Sequence, residues 1–295
     1  MNQKLTFTLL VGALLLFNDC YSMEKKYNYG NPYHPSPYFE EDDPQFEEGE
    51  PVWIIDTIGN YFFSLPTKLI LWNRKMTNHH FSEETKQYLI GYIKQNNLRD
   101  VKVRFNQYAP LSEWKRLAKN ENINPLIRYT IGSFSLLSYT FLPDRLLAGF
   151  VGGDHYNPYT NTINVYSDLP SVVIHEGGHS KDFAQREHRT WYSLAYAIPV
   201  VGSLYHEARA SDDAINYFAE KEDTKQLEEA HELLFPAYST YIGGAVGDLI
   251  PSPITSVMVI PGHIYGRYKK RSIPSRMEER NKRTNQLEPD LKIPK

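Results

Sequence analysis

Val172-Val173-Ile174-His175-Glu176-Gly177-Gly178-His179 sets two imidazoles four residues apart behind an apolar run. On a helix, residues at that spacing share one face with their side chains about 5–6 Å apart. Two rings so placed can each reach one zinc ion at roughly 2.0–2.1 Å. Glu176 follows the first ring and projects beside the ion, where it can take a proton from a metal-held water whose pKa has fallen to about 7. The stretch therefore asks for a buried helix, entered after Pro170, with Asp168 or Ser171 as its cap. Gly177 and Gly178 each cost a helix about 1 kcal/mol relative to Ala. Two of them fit a place where another backbone, or the metal and its substrate, comes close.

The five-residue pattern arises by chance roughly once in a hundred chains of this length, so its surroundings decide. A catalytic zinc site needs a third protein ligand and leaves one position for water. His six residues after His179 would continue one well-defined ligand pattern, but Gln185 stands there, and His188 is off register. Glu207 lies 28 residues downstream of His179 in Tyr205-His206-Glu207-Ala208-Arg209-Ala210-Ser211-Asp212-Asp213. That stretch reads as a second helix whose alanines allow close approach to a neighbour. Asp182, seven residues after His175 and on the same face, is the second candidate for third ligand, and His206 the third.

With these residues in place, the chain resembles the gluzincin metallopeptidases over about residues 150–214. In that family two His of one helix and a Glu of a second helix hold Zn2+, which implies His175, His179 and Glu207 here, with Glu176 as the catalytic base. In several of its families a small residue and then an Asp follow the Glu ligand, and the Asp braces a ligand His. Ala210 matches the small residue, while Ser211 stands where the Asp is usual and Asp212 comes one position late. A ligand His ties its other nitrogen to a carboxylate or carbonyl, which makes Asp212 the expected brace and Asp182 its reserve. Lys181 departs from the family too, in a position that is usually apolar.

Residues 152–166 read as strand, Asn-Pro turn, strand. Zincins are similar in placing a substrate-binding edge strand just ahead of the metal helix. The resemblance thus implies that Ile163, Asn164 and Val165 offer backbone hydrogen bonds to an extended polypeptide. Asp154 and His155 read as turn residues of the hairpin.

The 295 residues are 41% hydrophobic and 23% charged with net charge −3, enough for a globular core and too balanced for nucleic acid as main partner. Residues 1–22, with Lys4, an apolar stretch from Leu5 to Phe17 and Ser22, read as a signal peptide. Cys20, the one cysteine, falls within that segment, so the exported protein is expected to lack disulfides and thiol catalysis. The expected location is exported, periplasmic or extracellular, in a bacterium. Residues 23–50, rich in Pro, Tyr and acids, read as a disordered linker. Val52–Trp72 is amphipathic with Trp at both ends, and suits either a membrane interface or a helix packed on the domain. His79 and His80 read as surface residues. The tail 267–295 is basic and suits anionic lipid or plain solvation.

The expected fold is α+β, a helix-rich zincin-like domain over 51–266 with a small sheet built from 101–105 and 163–166. Three functions remain: a zinc peptidase; a membrane-associated binding or scaffold protein without turnover that keeps a structural metal or none; and, with the same residues as the first, a hydrolase of a non-peptide amide such as cell-wall material.

Overall fold

The computed structural model describes residues 27–30, 39, 42–150, 152–196, 201–249 and 258–287. The expected signal peptide lies outside these residues. The fold is α+β, a helix-rich chain with one small mixed sheet. It divides into two compact units, Tyr29–His206 and a second made of Glu207–Lys295 with Met1–Asn28. The expected domain 51–266 draws on both.

In chain order the first unit carries β1 (Phe46–Glu48), α1 (Trp53–Ile58), a π-helical turn (Gly59–Phe63), α2 (Leu65–Leu71) and α3 (Glu83–Gln95). β2 (Lys102–Phe105), α4 (Pro110–Lys119), α5 (Pro125–Ile127), a second π-helical turn (Arg128–Gly132), α6 (Ser133–Phe141) and α7 (Asp144–Leu147) follow. Then come β3 (His155–Asn157), β4 (Thr162–Val165), α8 (Pro170–Ala184) and α9 (Arg189–Tyr196). Helix α10 (Val201–Glu220) crosses the division between His206 and Glu207. The second unit continues with α11 (Thr224–Leu249), α12 (Val259–Arg271) and α13 (Ile273–Leu287).

The sheet runs β1-β2-β4-β3, parallel except for β3. Strand β1 corrects the expected linker, because Phe46–Glu48 pairs in register with Val103–Phe105. Its acids are counter-ions. Lys102 and Arg104 are fully buried on β2; Lys102 bridges Asp43 and Glu47, and Arg104 bridges Glu47 and Glu113. Burial works to raise the Asp43 and Glu47 carboxyls, but the hydrogen bonds from Lys102 prevail and hold both below the usual range. A stretch read as solvated by its charges is in fact pinned by them.

Ser82 caps α3, its hydroxyl accepting from the Thr85 amide, with Glu83 and Glu84 in the first turn. The 157–162 turn closes the β3–β4 hairpin. His79 departs from the surface reading: it is buried, and its Nδ1 lies 2.8 Å from Asn106 Oδ1.

In the second unit Tyr27 is buried, donating to Asp213 at 2.9 Å and packing edge-on against Tyr217. The basic tail is helical where described, and part of its charge is spoken for. Lys270 pairs with Glu228 and Glu232, and Arg280 with Glu220.

Candidate metal centre

Helix α8 starts after Leu169, with Pro170 in its first turn and no side-chain cap. Asp168, expected as its cap, serves α3 instead: its carboxylate accepts from the Ser82 amide and hydroxyl and from Thr85. Nearly every residue of α8 is buried, which explains a helix apolar on its approach and polar only where chemistry is needed. The glycine pair has a local cause at Gly177. A Cβ there would sit 2.6 Å from Cε1 of Tyr92, a fully buried ring on α3. The close approach is thus by an aromatic face, where the sequence suggested a backbone or substrate.

His175 and His179 are buried, and their Nε2 atoms lie 3.2 Å apart with the rings nearly perpendicular. His175, His179 and Glu207 each offer one ligand atom, all within 4.8 Å of one another, the carboxylate half-buried. Among the described residues this is the group that could hold a metal ion. Two ring nitrogens and one carboxylate form a donor set found in catalytic zinc sites, and one that suits zinc better than calcium or magnesium. Neither Asp182 nor His206, the other two candidates for third ligand, belongs to the group. His206 has its Nδ1 3.0 Å from the Tyr192 hydroxyl and stacks on Tyr196 at 3.8 Å.

Asp182 receives Arg186 and the Tyr192 hydroxyl, so it ties α8 to α9. Tyr196, on that same α9, turns its ring edge toward His179 at 6.3 Å. Asp212 accepts from the Asn216 side chain at 3.0 Å on its own helix. Of the aromatic and imidazole groups downstream, His231 is fully buried with its Nδ1 on the Leu227 carbonyl, and burial lowers it to about 4. Such a ring cannot reach a substrate.

Ile163, Asn164 and Val165 do not form the substrate edge. Strand β4 lies inside the sheet, paired with β2 on one side and β3 on the other. Its backbone groups are already used, and the terminal strand on that side is β3, with β1 at the other edge. The sequence shows alternation, which identifies a strand but not its neighbours.

His155 on β3 was read as a turn residue; it is held by design. Its Nδ1 faces the Gly153 carbonyl at 2.9 Å and Asp144 at 3.2 Å, and the Asn164 side-chain amide lies 3.3 Å from its Nε2. Burial works to lower this imidazole, but the Asp144 carboxylate and the Gly153 carbonyl, with Glu176 adding to them, outweigh it and raise it above the ordinary range. Asp144 itself is pushed up to about 6 by burial. No sequence signal announced Asp144, which sits after Pro143 in an apolar stretch. Asp154 keeps its turn role, accepting from the Tyr166 and Ser167 amides.

No family model, no curated protein and no solved structure matches this chain, so the reading of the site rests on its own geometry.

Proposed function

We propose that the protein is a zinc-dependent peptidase of zincin-like fold, with His175, His179 and Glu207 as metal ligands. The observation that carries this reading is the convergence of those three donors with a glutamate directly after the first of them in a buried helix. Bound there, a zinc ion would lower the pKa of water and polarise a carbonyl. Glu176 takes the proton of the attacking water as oxygen adds to the carbonyl carbon. It then gives that proton to the amine nitrogen as the C–N bond breaks. An extended substrate pairs with the terminal strand β3, whose backbone edge adds a strand from outside the sheet. His155, on that strand and electrostatically linked to Glu176, supplies positive charge beside the reacting carbonyl. Neither Asp182 nor Asp212, the expected braces, hydrogen-bonds the Nδ1 of His179; Asp182 instead ties α8 to α9.

The test is hydrolysis of a quenched-fluorescent peptide library by the purified, zinc-loaded chain, with Glu176→Gln as control. Cleavage that the variant lacks supports the peptidase. Bound zinc with no turnover in either protein supports the scaffold alternative.

A further inference from the structure

Helices α1 and α2, joined by their π-helical turn, are built inside out. Ile54, Ile58, Tyr61, Leu65, Leu69 and Trp72 recur every three or four residues, the spacing of one helical face, and all six are exposed. Apart from Leu71, the face turned to the protein is polar or small. Asp56 there pairs with Arg145 at 2.8 Å, Thr67 donates to the Gly149 carbonyl at 2.6 Å, and Gly59 leaves room for the His79 ring. In water this arrangement exposes what a helix normally hides. Trp53 and Phe62 are 79% and 71% exposed. The Phe150 ring, also exposed, reaches to 6.1 Å from Phe63. Helix α6 repeats the pattern with Phe134 and Phe141 exposed.

Charge says what covers this face. Residues 51–76 and 125–150 together hold five Lys or Arg and two Asp, in a chain whose net charge is −3. Asp56 and Arg145 neutralise each other, Asp144 lies buried against His155 and Arg128 is buried, which leaves Lys68, Arg74 and Lys75 toward solvent. Arg74 stands exposed just past Trp72, next to Lys75, which is also exposed and pairs with Asp168 at 3.3 Å. A second copy of the chain would bring cations against cations. An anionic phospholipid surface offers apolar depth for the stripe, an interfacial level for Trp53 and Trp72, and phosphate for Arg74 and Lys75. No helix among the described residues is long and apolar enough to cross a membrane, so the stripe lies in the plane of the interface.

We infer that the α1–α2 stripe is a docking face for anionic phospholipid membranes. This stands apart from the peptidase reading and needs no metal. The test is vesicle flotation of the full chain in chelator, on phosphatidylcholine alone and with three-tenths phosphatidylglycerol. Binding at least about tenfold tighter to the anionic vesicles is expected. The double variant Tyr61→Ser/Leu65→Ser should lose at least about tenfold in affinity with an unchanged circular dichroism spectrum. Arg74→Glu should lose the preference for anionic lipid. Should the double variant unfold, headgroup-proximal brominated lipid serves on the folded chain: it should quench tryptophan emission, and Trp53→Phe/Trp72→Phe should abolish that quenching. Equal flotation of wild type and a folded double variant would overturn the inference. So would absence of quenching, or a dimer in light scattering that depends on Tyr61 and Leu65.

Discussion

The Nε2 atoms of His175 and His179 face each other at 3.2 Å. Two nitrogens each about 2.05 Å from one tetrahedral ion stand about 3.3 Å apart. Two lone pairs cannot approach so closely without a proton or a cation between them. Helical spacing alone brings the rings near; the burial of α8 and the Tyr196 ring edge beside His179 limit how far they can swing.

Glu176→Gln keeps the size of the side chain and removes its ability to take a proton. Turnover should fall by at least about 10²-fold, with zinc content and thermal stability unchanged. Steady-state kinetics beside elemental analysis separates this from a folding defect, which would lower both.

Gly177→Ala forces a methyl into the Tyr92 ring, at 2.6 Å from Cε1. Overpacking of this kind costs about 1–3 kcal/mol. Urea denaturation should show that loss, and Tyr92→Leu in the same chain should recover part of it. A neutral Gly177→Ala would mean that the α3–α8 contact is looser than described.

Asp168 ties the start of α3 to the entrance of α8. Burial works against its charge, yet hydrogen bonds from Thr85 and Ser82, with Lys75 nearby, hold its carboxyl down to about 2. Its folded pKa thus lies below the unfolded value near 3.9. The stabilisation is complete above about pH 4 and drains away as pH falls toward 2. Asp168→Asn should therefore cost on the order of 2 kcal/mol at pH 7 and almost nothing near pH 2. Denaturation at the two pH values reads the difference; an equal cost at both would remove the electrostatic explanation.

Asp144→Asn takes away the carboxylate that faces His155 at 3.2 Å. The His155 imidazole, raised in the native protein, should then titrate at lower pH. Histidine signals followed by NMR report the midpoint directly. If it stays put, Asp144 is not the counter-charge.

How much of this was legible in the residues depends on the range of the forces involved. The histidine pair on α8 is a local matter of helical spacing, and Ser82 announces α3 in the same local way. Glu207 needed only a second helix of readable pattern. The sheet edge was not legible, because alternation over 162–165 marks β4 as a strand whatever stands beside it. Strand β1 was hidden for a different reason. Asp43 and Glu47 look solvated until Lys102 and Arg104, more than fifty residues away, are seen buried beneath them. His79 depends on Asn106, 27 residues on, and His155 on Asp144, which lies on another element before it.

Zinc stoichiometry in the purified chain tests the central claim most directly, read beside His175→Ala, His179→Ala and Glu207→Ala. With three protein ligands closing on one ion, about one zinc per chain should survive dialysis. Each single substitution should bring it down to about a tenth or less. A wild-type chain that keeps less than about a tenth of an equivalent after zinc loading, or a Glu207→Ala chain that keeps all of it, would contradict the account.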